Sequence, residues 1–191
     1  MGPTYPATLD VDPPVKQSRL TVFFRLIFAI PIAIFVALVG IAALFVWVAA
    51  WFVILFTGNL PQGMAEFLGK SLKLGTRVNG YIYLLTDKYP AFSMDDDAAY
   101  PVHAGVVAQL EGRNRLTVLF RLIMILPHAI ILYFLQVVLR IVGLFAWVAA
   151  LVTGSVPLGL HGFIAGMLRW QHRVSAYAFL LTDEYPPFSL S

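Results

Sequence analysis

The stretch Arg19-Leu-Thr-Val-Phe-Phe-Arg25-Leu-Ile returns 96 positions later, with one change, as Arg115-Leu-Thr-Val-Leu-Phe-Arg121-Leu-Ile. A second block, Leu84-Leu-Thr-Asp87 followed by Tyr-Pro and Phe-Ser, returns at the same offset as Leu180-Leu-Thr-Asp183. Separate blocks that recur in one order indicate internal duplication. The sequence therefore predicts two tandem copies of one domain, over residues 1–94 and 100–191, joined by an acidic linker at 95–99.

A third block aligns at a different offset. Leu44-Phe-Val-Trp47-Val-Ala-Ala matches Leu144-Phe-Ala-Trp147-Val-Ala-Ala, which is 100 positions later. The second copy is therefore expected to gain four residues before Trp147 and to lose four after it. Four residues are close to one helical turn, so this edit favours two consecutive helices over a loop.

Composition points to a membrane. Hydrophobic residues make up 60% of the chain, charged residues make up 12%, and the mean hydropathy is +0.81. Soluble domains carry about 25% charged residues, so too little polar surface remains to cover a globule in water. The chain has no cysteine, which excludes thiolate metal sites and disulfides.

The apolar segments are too long for one perpendicular crossing. Residues 26–56 contain no charged side chain and would form a helix of about 46 Å, against a hydrocarbon core of about 30 Å. Arg140 interrupts the corresponding segment. The sequence therefore predicts a transmembrane helical hairpin in each copy, over about 20–57 and 116–154, with incomplete, re-entrant crossing as the alternative.

Two features lie within or after these hairpins. Pro31 and Pro127 are expected either to kink the first helices or to end an amphipathic approach helix. Amphipathic basic helices are then expected over about 61–86 and 158–182, on the membrane surface, packed against the hairpins, or both. Their predicted contacts with lipid headgroups are Lys70, Lys73, Arg77, Arg169 and Arg173.

Hairpins place the basic flanks of both copies on one side, which the positive-inside bias makes cytoplasmic. We therefore expect a multi-pass protein of the bacterial cytoplasmic (inner) membrane with both termini in the cytoplasm. Residues 5–11 and 100–106 are related extended segments that are expected to pair as a small β element. Residues 95–97 are acidic and are expected to form a solvated linker, with a weak Mg²⁺ or Ca²⁺ site as the alternative.

Two ion pairs are expected, Arg25 with Asp87 and Arg121 with Asp183. Each arginine lies near the start of an apolar helix, where an unpaired charge is costly. Each aspartate ends the amphipathic helix that should return to the same membrane face. Ala29, Ala33 and Ala37 form a stripe of small residues, which favours close helix packing in lipid. That stripe is expected either to close the hairpin or to contact a partner helix.

No nucleophile, base and orienting group recur together in the sequence, so we expect neither an enzyme nor a cofactor or metal site. His128, beside Pro127, is expected to be a neutral histidine inside the bundle, with a functional role as the alternative. The expected role is a non-catalytic accessory or scaffold subunit of a larger membrane complex. The alternative is a lipid-binding or small-molecule transport component that acts as an oligomer. Expected partners are membrane lipids and other transmembrane subunits, without nucleic acid.

The paired openings and the Leu-Leu-Thr-Asp closings resemble an uncharacterised bacterial membrane family, domain of unknown function 4389, in two tandem copies. The resemblance implies membrane residence and duplication. From the apolar and amphipathic segments, we expect an all-α integral membrane protein with two pseudo-symmetric repeats. It provides no catalytic or ligand-binding residues.

Overall fold

The computed structural model describes residues 5–191. Two short strands and seven helices make up this part of the chain, in the same order in each copy. The elements of the first copy are β1 (Ala7–Val11), α1 (Arg19–Phe23), α2 (Arg25–Thr57) and α3 (Gln62–Ile82). Those of the second copy are β2 (Val102–Val106), α4 (Arg115–Leu119), α5 (Arg121–Met124), α6 (Leu126–Thr153) and α7 (Leu158–Ala178).

The first long apolar segment is one continuous helix, and the second is continuous from Leu126 onward, after the short helices α4 and α5. α2 runs through Pro31 and Gly40 for 33 residues, and α6 runs through Arg140 for 28 residues. The predicted hairpins within 20–57 and 116–154 are therefore wrong. The chain reverses later, after Gly58 and Gly154, whose φ angles of 76° and 80° lie in the left-handed region that suits glycine. The sequence was misread because the length of the segment and the charge of Arg140 within it were taken as signs of a turn.

The two copies align at a single offset. Trp51 Nε1 donates to the Val118 carbonyl (3.1 Å), and Trp147 Nε1 donates to the Val22 carbonyl (2.9 Å). Trp51 and Trp147 are therefore the equivalent tryptophans, 96 positions apart like the flanking blocks. The predicted four-residue edits do not occur, and the counterpart of Trp47 is Gly143.

Helices α3 and α7 lie in the middle of the molecule. Each packs along the long helix of its own copy, and they pack against each other. Most of α3 is buried, including the basic residue Arg77 at 5% exposure. Of the two alternatives for these helices, packing against the preceding helix is the one found, and the surface position is a correction. They begin and end close to the predicted bounds.

The strands form the expected small β element. β1 and β2 pair antiparallel, with Leu9 opposite Ala104 and Thr8 opposite Gly105. This ribbon packs on α3 and α7. Gly80 permits the close approach, because a Cβ at that position would lie 2.8 Å from Val102 Cγ2. Leu68 of α3 belongs to a core cluster that includes Ala43 and Ile54 of α2. The described chain is thus layered, with the ribbon on one side, α3 and α7 in the middle, and α2 and α6 on the other side.

Candidate functional site

The first ionic cluster joins the start of α2 to the turn after α3. Buried Arg25 places its Nη2 2.7 Å from Asp87 Oδ1 and donates from Nη1 to the carbonyls of Tyr81 (2.8 Å) and Thr86 (2.6 Å). The guanidinium also lies over the Tyr81 ring. These charge-assisted bonds hold a turn in which Leu84 has φ of 65°, an uncommon conformation for a residue with a side chain. The expected pair is present, and its role is to anchor the fold.

The second cluster holds an additional cation. Arg121 Nη2 lies 2.5 Å from Asp183 Oδ1, as expected, but Arg113 Nη2 also lies 2.7 Å from the same oxygen. The first copy has Gln17 at the position of Arg113, so one carboxylate serves two buried arginines in the second copy alone. Burial by itself would raise the pKa of Asp183, but hydrogen bonds from Arg113 and the Asn114 N–H, together with the charges of Arg113 and Arg121, outweigh burial and lower it. Sequence reasoning missed Arg113 because its counterpart is uncharged.

The basic residues of α3 contact the acidic linker. Lys70 Nζ lies 2.9 Å from Asp95 Oδ1, and Lys73 Nζ lies 2.5 Å from Asp96 Oδ2. Arg77 donates to the Asp95 carbonyl at 2.7 Å. The linker thus supplies negative charges that pair with the basic residues of α3, and the Asp95 and Asp96 side chains remain exposed, as expected for a solvated linker.

The basic residues of α7 hold other polypeptide segments. Arg169 donates to the carbonyls of Leu9 in β1 (2.9 Å) and Leu190 (3.0 Å). Arg173 is 6% exposed and donates to the Ser191 carbonyl. Arg77 and Arg173 are therefore too buried to contact lipid headgroups, which corrects the prediction for them. Their Nη1 and Nη2 groups donate to backbone carbonyls.

The outer faces of α2 and α6 form a broad apolar surface. Both helices are long and apolar enough to cross a membrane, yet only 11% and 17% of their most apolar windows are buried. Twelve large apolar side chains are exposed on each helix. The core helix of a soluble protein would bury such residues. The alanine stripe is divided between the two sides, because Ala29 is buried whereas Ala33 and Ala37 are exposed.

Both ends of α2 and the end of α6 are tied to the segments that follow the strands. At the start of α2, Arg25 donates to the Gln17 side chain (3.0 Å); at its end, the Gly58 carbonyl accepts from the Arg113 N–H (3.0 Å). The Gly154 carbonyl at the end of α6 accepts from the Gln17 N–H (2.8 Å). Gln17 and Arg113 follow β1 and β2 by a few residues, so α2 begins and ends, and α6 ends, near a segment that adjoins the ribbon.

A small, mainly apolar cavity of about 190 Å³ lies between α2, α3 and α7. His172 lines it, with Nδ1 2.9 Å from Thr76 Oγ1 and Nε2 3.1 Å from the Gly105 carbonyl. Since a carbonyl can only accept, Nε2 carries the proton, and Nδ1 of the neutral ring accepts from Thr76. Burial lowers the pKa of His172 to about 4, so the ring is neutral at pH 7. Thr76 and His172 are equivalent positions, and this pair marks the pseudo-twofold axis.

His128 is fully buried on α6. Its Nδ1 accepts a hydrogen bond from Trp170 Nε1 at 3.2 Å, and its ring stacks on Phe188 with centroids 3.8 Å apart. The first copy has Ile32 and Leu74 at the positions of His128 and Trp170, so a hydrogen-bonded pair replaces an apolar pair. This environment matches the expected neutral histidine inside a bundle.

A larger cavity, of about 440 Å³, lies between the start of α2, the end of α3 and the middle of α6. Leu26, Tyr83, Arg140, Gly143 and Trp147 are among its lining residues. Arg140 is exposed and is left without an ion pair or hydrogen bond among residues 5–191. Within that range, no group of three histidine or acidic side chains could hold a metal ion.

The sequence matches the family described as domain of unknown function (DUF4389) twice, over residues 19–94 and 115–189. No curated protein and no solved structure matches the chain. The two matched segments correspond to the two structural repeats that pack around the Thr76–His172 pair. The chain therefore belongs to the DUF4389 family and contains two tandem copies of its domain.

Proposed function

We propose that this chain is a non-catalytic accessory or scaffold component of a bacterial membrane complex, embedded through the apolar face of α2 and α6. The exposure of that face carries the proposal. Apolar surface in contact with water costs roughly 25 cal/mol per Å², and soluble monomers rarely expose contiguous patches beyond a few hundred Å². Lipid and the apolar helices of a partner are the surroundings that suit twelve exposed large side chains on each helix.

The arrangement of charges favours insertion from one side of the membrane. A helix that crosses the bilayer has its ends on opposite sides, but both ends of α2 are tied to segments that follow the ribbon strands. In a perpendicular crossing, α3 would run beside α2 and place the exposed Lys70–Asp95 pair near the membrane centre, where charge is costly. We therefore propose, in place of the expected multi-pass topology, that α2 and α6 lie parallel to the membrane plane, below the headgroups.

In this orientation the ribbon, the acidic linker and both described ends of the chain lie in water on one side. Tyr5 donates to the Glu184 carbonyl, and Ser191 contacts Arg173 on the same side. We assign this side to the cytoplasm of a bacterial inner membrane, since positively charged residues favour it.

The exposed part of the alanine stripe is the proposed partner contact. Small residues let helix backbones approach closely in lipid, and Ala33 and Ala37 face outward on α2. The double variant Ala33→Leu/Ala37→Leu should remain folded and inserted but should no longer copurify with its partner at fixed stoichiometry. Ala29→Leu is the matched control, because Ala29 is 4% exposed and a larger side chain there should destabilise the isolated protein by about 1–3 kcal/mol.

Retention of the partner by the double variant would contradict the proposed contact. Unfolding of the double variant would also contradict it, because it would show that Ala33 and Ala37 pack internally. The second candidate function is lipid binding, and the 440 Å³ cavity at Arg140 favours it.

A further inference from the structure

We propose that the cavity between α2, α3 and α6 binds one anionic phospholipid, with its phosphate at Arg140 and an acyl chain along the apolar wall. The volume of about 440 Å³ lies within the usual range of ligand sites, roughly 300–1,000 Å³. The apolar wall includes Leu26, Ile82 and Leu144. Leu26 and Leu144 are 72% and 59% exposed, so the cavity opens onto the surface that faces lipid in the proposed orientation.

The cavity exists in one half of the molecule because one tryptophan has a glycine as its counterpart. In the other half, Trp47 packs in the cluster that contains Phe179, and its Nε1 donates to the Ala178 carbonyl at 2.8 Å. The equivalent residue here is Gly143, where a Cβ would lie 3.3 Å from Tyr83 Cδ1. The missing indole leaves the space open.

Two further differences between the copies add polar groups at the same place. Arg140 stands where the other half has Leu44, and Tyr83 stands where it has Phe179. One side of the pseudo-twofold axis thus has Leu44 and Trp47 of the first copy with Phe179 of the second, whereas the other side has a cation, an open space and a hydroxyl group. Random drift of a surface would not be expected to place all three changes around one cavity.

The charge of the lining selects an anion. Arg25 also lines the cavity, but Asp87 neutralises it at 2.7 Å, which leaves the charge of Arg140 unmatched among residues 5–191. Burial, with a smaller opposing effect of Arg140, raises the pKa of Tyr83, so its hydroxyl stays protonated and can donate a hydrogen bond. A lipid phosphate would accept from both groups and remove the cost of an unpaired cation in an apolar surface.

The test is lipid retention by the purified protein in detergent with equal amounts of phosphatidylglycerol and phosphatidylcholine, measured by native mass spectrometry. The wild type should retain one phosphatidylglycerol. Arg140→Leu, which installs the residue found in the other half, should reduce the preference for phosphatidylglycerol about fivefold or more. Gly143→Trp should abolish retention of either lipid by filling the cavity.

Leu44→Arg is the matched control. It adds the same charge to the other half, where Trp47 occupies the space, so one phosphatidylglycerol should still be retained. An unchanged lipid preference in Arg140→Leu would overturn the proposal, and so would a second bound lipid in Leu44→Arg.

This site requires a membrane environment, as the proposed function does, but it does not require a protein partner. Flotation of the same variants with liposomes separates the two proposals. Variants that float but do not discriminate between lipids refute the lipid site alone, whereas a wild-type protein that fails to float refutes membrane embedding.

Discussion

The two ionic clusters predict unequal effects of the same substitution. Asp87→Asn removes the counter-charge of one buried arginine, Arg25, whereas Asp183→Asn removes that of two, Arg113 and Arg121. Asp183 is also the less exposed carboxylate, at 14% against 25% for the side chain of Asp87. The second substitution should therefore lower the free energy of unfolding more than the first.

The magnitude follows from the cost of leaving a buried charge unpaired. Removing one partner of a buried ion pair costs about 3–5 kcal/mol. The half-buried Asp87 places its substitution near the low end, at about 3 kcal/mol, because water partly screens the arginine that remains. Asp183→Asn should reach about 5 kcal/mol, because two arginines then repel each other around a neutral amide. Substituting Arg113→Gln, which copies Gln17 of the first repeat, should recover about 1–3 kcal/mol in the Asp183→Asn background.

The assay is reversible unfolding of the purified protein in mixed detergent micelles, followed by circular dichroism and tryptophan fluorescence. Each substitution is measured alone and in the Arg113→Gln background, so that the coupling energy is obtained directly. Equal costs for Asp87→Asn and Asp183→Asn, together with no recovery by Arg113→Gln, would refute the reasoning. That result would show that the additional arginine does not depend on Asp183.

Two other substitutions test the packing of the middle layer. Gly80→Ala should destabilise the protein by about 1–3 kcal/mol, because the new Cβ would meet Val102 Cγ2 at 2.8 Å. Gly69→Ala should instead stabilise it by up to about 1 kcal/mol, because nothing lies within 4 Å of the new Cβ. Thermal unfolding of both variants checks this contrast. For His172, burial lowers the pKa from 6.5 to about 4, so the unfolded chain binds the proton first as pH falls. The contribution of neutral His172 to the free energy of unfolding should be fully present above pH 6.5. It should decline by up to about 3 kcal/mol between pH 6.5 and 4. The free energy of unfolding, measured at several pH values, should decline less in His172→Thr than in the wild type. A slope should remain because burial also lowers the pKa of His161. The same slope in His172→Thr and wild type would contradict this assignment.

The local motifs predicted much of the fold. The repeated Arg-Leu-Thr-Val and Leu-Leu-Thr-Asp blocks gave the duplication, and an arginine and an aspartate that both recur gave the two ion pairs. The related extended segments correctly predicted the β1–β2 ribbon. These features could be found because duplication presents each of them twice in one sequence.

The incorrect predictions concern which other part of the chain, or which solvent, covers each helix. Periodicity showed that α3 has an apolar face, but it could not show that Lys70 and Lys73 meet the acidic linker or that the ribbon covers the rest. A surface helix was therefore predicted where a buried one occurs. Arg140 was read as a turn residue because its charge was judged against a span with lipid on all sides.

The asymmetric cavity was hidden by an incorrect alignment. Trp47 and Trp147 were aligned because their neighbours in sequence are similar. This alignment concealed that Trp47 corresponds to Gly143 in the second copy. The hydrogen bonds of Trp51 and Trp147 to equivalent carbonyls fix the offset, and side-chain geometry was needed to find them. Sequence similarity alone favoured the wrong tryptophan.

The most direct measurement for the central claim is labelling from one side of the membrane. The chain has no cysteine, so single cysteines can replace exposed Asn59 at the end of α2 and exposed Ala98 beside the acidic linker. A membrane-impermeant maleimide is applied to intact cells and to inverted membrane vesicles. One-sided embedding predicts that both positions react in inverted vesicles and that neither reacts in intact cells. Reaction of Asn59→Cys from outside intact cells, with Ala98→Cys protected, would show that α2 crosses the bilayer and would contradict the account.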